Sequence, residues 1–131
     1  MHARFLFYLA AVLEGEKSLR IALYSGGNVV VESYLYRTIA FHRGMGSDIR
    51  ISIPKDILLP DIVFYLTCEE NERQRRKNKR GKRETYWDHL AEKNTDRIVQ
   101  EYQRFEMNSI DTTHLKPEQV VDEIINRLNG Q

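Results

Sequence analysis

A single cysteine, Cys68, is all the thiol chemistry this chain carries, so it has no internal disulfide framework and no cysteine-built zinc site. A reducing compartment follows as the default, with the cytoplasm expected and an organelle the alternative. Proline is almost as scarce: Pro54, Pro60 and Pro117 stand alone, and no proline-rich linker, repeat or low-complexity tract divides the 131 residues. One domain spanning 1–131 is expected. An excess of one charge is also missing. Lys and Arg number 20 against 19 Asp and Glu, for a net charge of +1, which argues against a nucleic-acid coat protein and an acidic disordered tail alike. Long apolar runs are absent. The longest covers 5–13, behind Arg4, and imitates the start of a secretory signal, but it falls far short of the ~20 residues that span a bilayer. The histidines, at 2, 42, 89 and 114, lack ligand spacing and predict no metal site of their own.

What is present is an alternation of helical stripes and short apolar runs. From residue 5 the apolar residues continue through Leu19, Ala22 and Leu23 until Gly26-Gly27, predicting a buried first helix. Residues 28–32, Asn-Val-Val-Val-Glu, are β-branched and read as a buried strand ending on an acidic residue. A second helix is predicted over 34–43, closed by Gly44 and Gly46, and a helical turn over 54–58. After Pro60-Asp61, residues 62–66 form the clearest strand of the sequence. Over 73–83, eight of eleven positions are Lys or Arg, preceded by Glu69, Glu70 and Glu72 as a helix N-terminus prefers. One long helix is predicted over 85–105, with Trp87, Leu90, Ile98, Tyr102 and Phe105 on one face, and a short strand over 107–111. The last helix begins at Pro117 and carries a stripe of Val120, Val121, Ile124, Ile125 and Leu128 up to Gly130. The expected fold class is therefore α/β, with a parallel sheet of about three strands flanked by helices.

In an open parallel sheet, ligands bind beyond the carboxyl ends of the strands, which draws attention to Glu32 and to the segment from Thr67 onward. A carboxylate at a strand end suits a metal-phosphate partner or a helix cap equally. The basic run allows three readings: a solvated helix face, arginines that clamp phosphoryl oxygens from a mobile segment, or a nucleic-acid contact. The last is disfavoured, because few aromatics interleave the charges to stack bases. The aromatics Phe5, Phe7, Tyr8, Tyr34, Tyr36 and Phe41 serve a core more often than a ligand platform.

The order of several short motifs resembles the thymidylate kinase family. They are Phe7-Tyr8-Leu9-Ala10-Ala11, Ala22-Leu23, Val29-Val30-Val31-Glu32-Ser33-Tyr34, Thr38-Ile39-Ala40-Phe41-His42, Pro60-Asp61-Ile62-Val63-Phe64-Tyr65-Leu66, Arg76 to Arg80-Gly81, and Ser109-Ile110-Asp111. The resemblance covers roughly 3–128 and is to the later part of the family's domain. It implies a P-loop kinase-type fold and transfer of the γ-phosphoryl of ATP, with Mg²⁺, to dTMP or a related pyrimidine nucleoside monophosphate. By that resemblance Phe7 stacks on the acceptor base, Thr38, Phe41 and His42 line the base and sugar pocket, and Ser33 takes a substrate-binding position. Glu32 stands at the family's motif aspartate, an indirect metal partner. Arg76, Arg80 and Arg83 belong to a lid over about 73–85 that stabilises the transferring phosphoryl group.

The sequence also departs from the family's pattern. None of its seven glycines belongs to a Gly-x-x-x-x-Gly-Lys-Ser/Thr loop, so no lysine of that kind meets the β- and γ-phosphates and no hydroxyl of that kind meets Mg²⁺. Ser33 replaces a phosphate-gripping arginine, Ala11 replaces a base-reading arginine, and Thr67 replaces a frequent acidic residue. In the family, the strand before the P-loop lies between the two strands read at 28–32 and 61–66, so those edges lack a partner here. The expectation is a truncated thymidylate-kinase-like chain, inactive alone, without the first strand and P-loop. Alternatives are a non-catalytic subunit that pairs through its open sheet edge with itself or another kinase chain, a sheet in which the two strands meet directly, and, ranked last, nucleic-acid binding through 73–83.

Overall fold

A computed structural model describes residues 1–81 and 83–130, so Lys82 of the basic run lies outside the described residues. The chain is α/β and divides into two compact units. The first comprises Met1–Leu59 and Glu84–Phe105, the second Pro60–Arg83 and Glu106–Gln131.

The first unit is helical. Helix α1 (His2–Tyr24) stops where the glycine pair predicts, with Ser25 turning its N–H and hydroxyl back to the Ile21 carbonyl and Gly26 taking φ 78°. Helix α2 (Leu35–Gly44) crosses α1, and together they bury Phe5, Leu35, Ile39 and Ile57, with Leu9, Val12, Tyr34, Ile49, Ile51 and Phe105 packed around them. The expectation of a buried first helix needs correction. Apolar residues surround α1 on all sides, whereas one face meets α2, so Leu6, Phe7, Ile21 and Tyr24 are exposed. The strand expected over 28–32 does not form either. No neighbouring strand is present among the described residues to pair its backbone, and the segment is exposed coil, with Val30 99% accessible. Residues 54–58 form a turn closed by the Ile57 N–H on the Pro54 carbonyl, not a helix.

The helix predicted over 85–105 is two helices, α4 (Tyr86–Lys93) and α5 (Thr95–Tyr102). A capping box between Thr85 and Asp88 starts α4. Its end is a competition for carbonyls: the Asn94 amide donates to the Leu90 carbonyl at 2.8 Å and the Thr95 hydroxyl to the Glu92 carbonyl at 2.9 Å, while Asn94 leaves helical geometry at φ −116°, ψ 18°. Helix α5 lies on α2 at Gly44, where a Cβ would stand 2.5 Å from the Ile98 Cα; any larger residue would push the two backbones apart.

The second unit contains the sheet. Strands β1 (Phe64–Thr67) and β2 (Asn108–Asp111) run parallel in the register Phe64↔Asn108 to Thr67↔Asp111. The parallel α/β expectation stands, with two strands rather than three among the described residues. Helix α3 (Glu70–Lys79) follows β1, and α6 (Pro117–Asn129) follows β2, begun by Pro117 in its first turn and tied to β2 by Arg127 Nη1 on the Ser109 carbonyl at 3.0 Å. Among the described residues of this unit, Ile110 is the one fully buried apolar side chain.

Candidate functional site

The residues singled out by sequence fall into two groups, one in each unit. In the first unit, Thr38, Phe41 and His42 share α2, and Phe7 lies on α1 edge-on to Tyr8 at 5.6 Å. Thr38 and His42 are buried, Phe7 is 71% exposed, and Ser33 and Glu32 are exposed in the segment before α2, Ser33 with φ 61°. Glu32 therefore does not stand at the carboxyl end of a strand, as its sequence suggests, because 28–32 is coil.

His42 organises this group. Its ring stacks on Phe5 at 5.2 Å and 9°, with Tyr8 tilted against it at 5.4 Å and Phe41 edge-on at 5.7 Å. Nδ1 lies 2.8 Å from the Thr38 carbonyl. A carbonyl only accepts, so Nδ1 carries the hydrogen, and in the neutral ring Nε2 is an acceptor; that atom is buried without a partner among the described residues. Burial lowers the His42 pKa, and Arg4, Arg37 and the terminal amino group also oppose a proton there, against the Thr38 carbonyl that favours one. The ring is thus held neutral. Around it, the Arg4 guanidinium lies 4.8 Å from the Tyr8 ring and 4.3 Å from that of Trp87, and Arg37 lies 4.9 Å from Phe41. The contact of Arg4 with Tyr8 is legible as an i,i+4 pair on a helix. Nothing in the sequence announces Trp87, 83 residues away from Arg4 by number.

In the second unit, the carboxyl ends of both strands converge on a threonine-rich turn. The Thr112 hydroxyl donates to the Thr67 carbonyl at 2.8 Å, and the Glu69 N–H donates to the Thr113 hydroxyl at 2.9 Å. That hydroxyl in turn donates to Asp111, as does the Thr113 N–H, and the two bonds hold the Asp111 carboxyl below its usual range. Arg76 reaches this turn from α3. Its Nη1 donates to the Thr112 hydroxyl at 3.0 Å, its Nη2 to the Thr112 carbonyl at 2.6 Å, and its Nε to Glu72 at 2.6 Å. Glu72 receives Arg75 as well, and the two guanidinium groups hold its carboxyl at about 2.

The basic run is consequently less free than its composition suggests. Arg73 pairs with Glu70, and Arg75 and Arg76 pair with Glu72. Lys79, Arg80 and Arg83 are exposed, and among the described residues their side chains make no hydrogen bond or ion pair. Helix α3 itself is polarised as its dipole prefers, with Glu70 and Glu72 in the first turn and Arg76, Lys77 and Lys79 in the last.

Parallel strands, each followed by a helix, with polar side chains gathered at their carboxyl ends, are consistent with part of a P-loop-kinase-like fold. A family model described as thymidylate kinase matches residues 1–124, almost the whole chain. The chain belongs to the thymidylate kinase family. No curated protein and no solved structure matches it. Membership brings a nucleoside monophosphate kinase-like function, nucleotide binding, and, as a family property, the use of ATP with Mg²⁺.

The ends of β1 and β2 present no built site for the phosphates of ATP among the described residues. No group of three or more His, Cys, Asp or Glu among them could hold a metal ion. The turn after β1 enters α3 with Glu70 and Glu72 in its first turn, so carboxylates already occupy the positive end of the helix dipole where a phosphate would bind. After β2, the backbone N–H of Thr113 is taken by Asp111. Nor is any helix among the described residues long and apolar enough to cross a membrane.

Proposed function

We propose that this chain binds the acceptor of a thymidylate-kinase-like reaction, dTMP or a related pyrimidine nucleoside monophosphate, and does not transfer a phosphoryl group by itself. The observation that carries the reading is the family match over residues 1–124. The local chemistry agrees with it. Phe7 offers an exposed ring for a base to stack on, edge-on to Tyr8, which in turn meets the neutral His42, and α2 carries Thr38 and Phe41 beside that histidine. Ser33, at its left-handed turn before α2, stands beside the same helix. In the second unit, taken by itself, the basic segment carries exposed Arg80 and Arg83, positive charge suited to phosphoryl oxygens, on the helix that Arg76 anchors. Transfer also requires a phosphate-cradling loop and a metal; the sequence has no Gly-x-x-x-x-Gly-Lys-Ser/Thr, and no metal-holding cluster is present among the described residues.

The test is direct. Incubated with ATP, Mg²⁺ and each of dTMP, dUMP, UMP and CMP, the purified chain is expected to form no diphosphate product. Turnover that disappears when Arg76 and Arg80 are both replaced by alanine would overturn the reading, because the chain would then transfer phosphate without the cradle.

A further inference from the structure

Arg73 and Arg75 of the basic segment pair with glutamates on their own helix, whereas Arg76 also reaches the turn after β2. Arg76 directs Nε to Glu72, Nη1 to the Thr112 hydroxyl, and Nη2 to the carbonyls of Thr112 at 2.6 Å and Thr113 at 3.4 Å. Each of those acceptors belongs to the fold. Thr112 is also the residue that closes the strand ends, through its hydroxyl on Thr67, and Thr113 holds the start of α3 through the Glu69 N–H. Arg76 thus spans the unit from the middle of α3 to the turn after β2. Its neighbours differ. Arg80 caps the end of α3 through its backbone and leaves its side chain exposed, and Arg83 is exposed beyond it.

From this division we infer that Arg76 is a positioning residue, a latch fastening α3 to the Thr112-Thr113 turn and not itself an anion ligand, so that the phosphate-binding role of the proposed function falls to Arg80 and Arg83. The inference rests on the phosphate-binding part of the proposed function and deepens it. An arginine already bonded to a carboxylate, a hydroxyl and backbone carbonyls would have to give up those bonds, leaving the Thr112 carbonyl with the Leu115 N–H alone, before it could contact an anion. The exposed arginines surrender nothing comparable. Their placement, however, depends on the anchored helix that carries them. Unit 2 has little apolar packing to hold that helix, since Ile110 is its one fully buried apolar side chain among the described residues.

The experiment uses the whole chain and inorganic tripolyphosphate, followed by the arginine Nε–H resonances in ¹⁵N-labelled protein, each assigned by its loss in an arginine-to-lysine variant. Tripolyphosphate is expected to shift the Arg80 and Arg83 resonances and leave that of Arg76, held by Glu72, in place. Replacing Arg80 and Arg83 together by alanine should weaken tripolyphosphate binding about tenfold or more. Arg76→Ala should instead speed amide exchange through 70–79 and 111–113, and Arg76→Lys, which keeps one donor for the Thr112 carbonyl, should restore part of that protection. An Arg76 resonance that moves together with those of Arg80 and Arg83 would overturn the inference, showing Arg76 to be an anion ligand. Unchanged amide exchange in Arg76→Ala would overturn it as well. If no arginine resonance responds to tripolyphosphate while Arg76→Ala still loosens α3, the assignment of anion binding to Arg80 and Arg83 falls, and with it the phosphate half of the proposed function; the base-binding half is untouched.

Discussion

The two units differ in what stabilises each of them internally. In the first, Phe5, Leu35, Ile39 and Ile57 form an apolar core, and its one buried histidine is stacked among aromatic rings. In the second, Ile110 is the single fully buried apolar side chain among the described residues, and order at the strand ends comes from hydrogen bonds among Thr67, Thr112, Thr113, Asp111, Glu69 and Arg76. Dispersion and burial are tolerant of pH and salt, whereas a network of charges and hydroxyls depends on each partner being present and correctly ionised. The contrast teaches where function can be carried. The apolar unit offers a preformed aromatic surface, and the polar unit offers exposed cations on a helix secured by a few specific bonds.

Three changes break or sharpen this contrast. The largest effect is expected from Phe5→Ala, which empties the centre of the first unit and should cost about 3–5 kcal/mol, read as a lower denaturation midpoint of Trp87 fluorescence. In the second unit the comparable weak point is polar. Thr112→Val keeps the shape but removes the hydroxyl that donates to the Thr67 carbonyl and accepts from Arg76, at a cost of about 1–3 kcal/mol. Amide exchange across 64–67 and 108–113 should accelerate while Trp87 stays unchanged. If Thr112→Val is silent and an apolar truncation at Ile110 is severe, the second unit is held by packing after all.

The smallest effects are those of pH, and they separate the units by window. His42 has a lowered pKa in the folded chain, so its contribution is fully present above the ordinary histidine value of 6.5 and is lost as pH falls below it toward the folded value. Glu72 is depressed from 4.5 to about 2, so what it contributes is present above 4.5 and is lost as pH falls toward 2. Between pH 7 and 5, then, the Trp87 midpoint should decline while exchange in α3 stays constant; below 4.5 α3 should loosen. A reversed order would mean that the charges of the second unit are not what secures it.

Much of this was readable from local pattern. The glycine pair ending α1, the proline opening α6, the glutamates ahead of the basic helix, and the apolar runs at β1 and β2 are all near-neighbour features, and they lie close to where the residues predict. What was not readable depends on partners. Residues 28–32 have the composition of a strand, but a strand exists only beside another, and none among the described residues pairs with it. The division between α4 and α5 turns on Asn94 and Thr95 taking carbonyls from the preceding turn, which an apolar stripe does not register. For the candidate site, the grouping of Thr38, Phe41 and His42 on α2 follows from their spacing, since they share a helix. The bonds from Arg76 to Thr112 join residues 36 apart, and the same composition would describe an arginine entirely free.

The central claim, that this member of the thymidylate kinase family presents an acceptor-nucleoside surface around Phe7, is tested most directly by titrating dTMP and following Trp87, the only tryptophan, whose ring lies against Arg4 on α1. The account predicts a saturable fluorescence change that Phe7→Ala weakens while leaving the denaturation midpoint intact, since Phe7 is 71% exposed. Saturable binding indifferent to Phe7→Ala, or no binding of dTMP, dUMP, UMP or CMP at millimolar concentration, would contradict it.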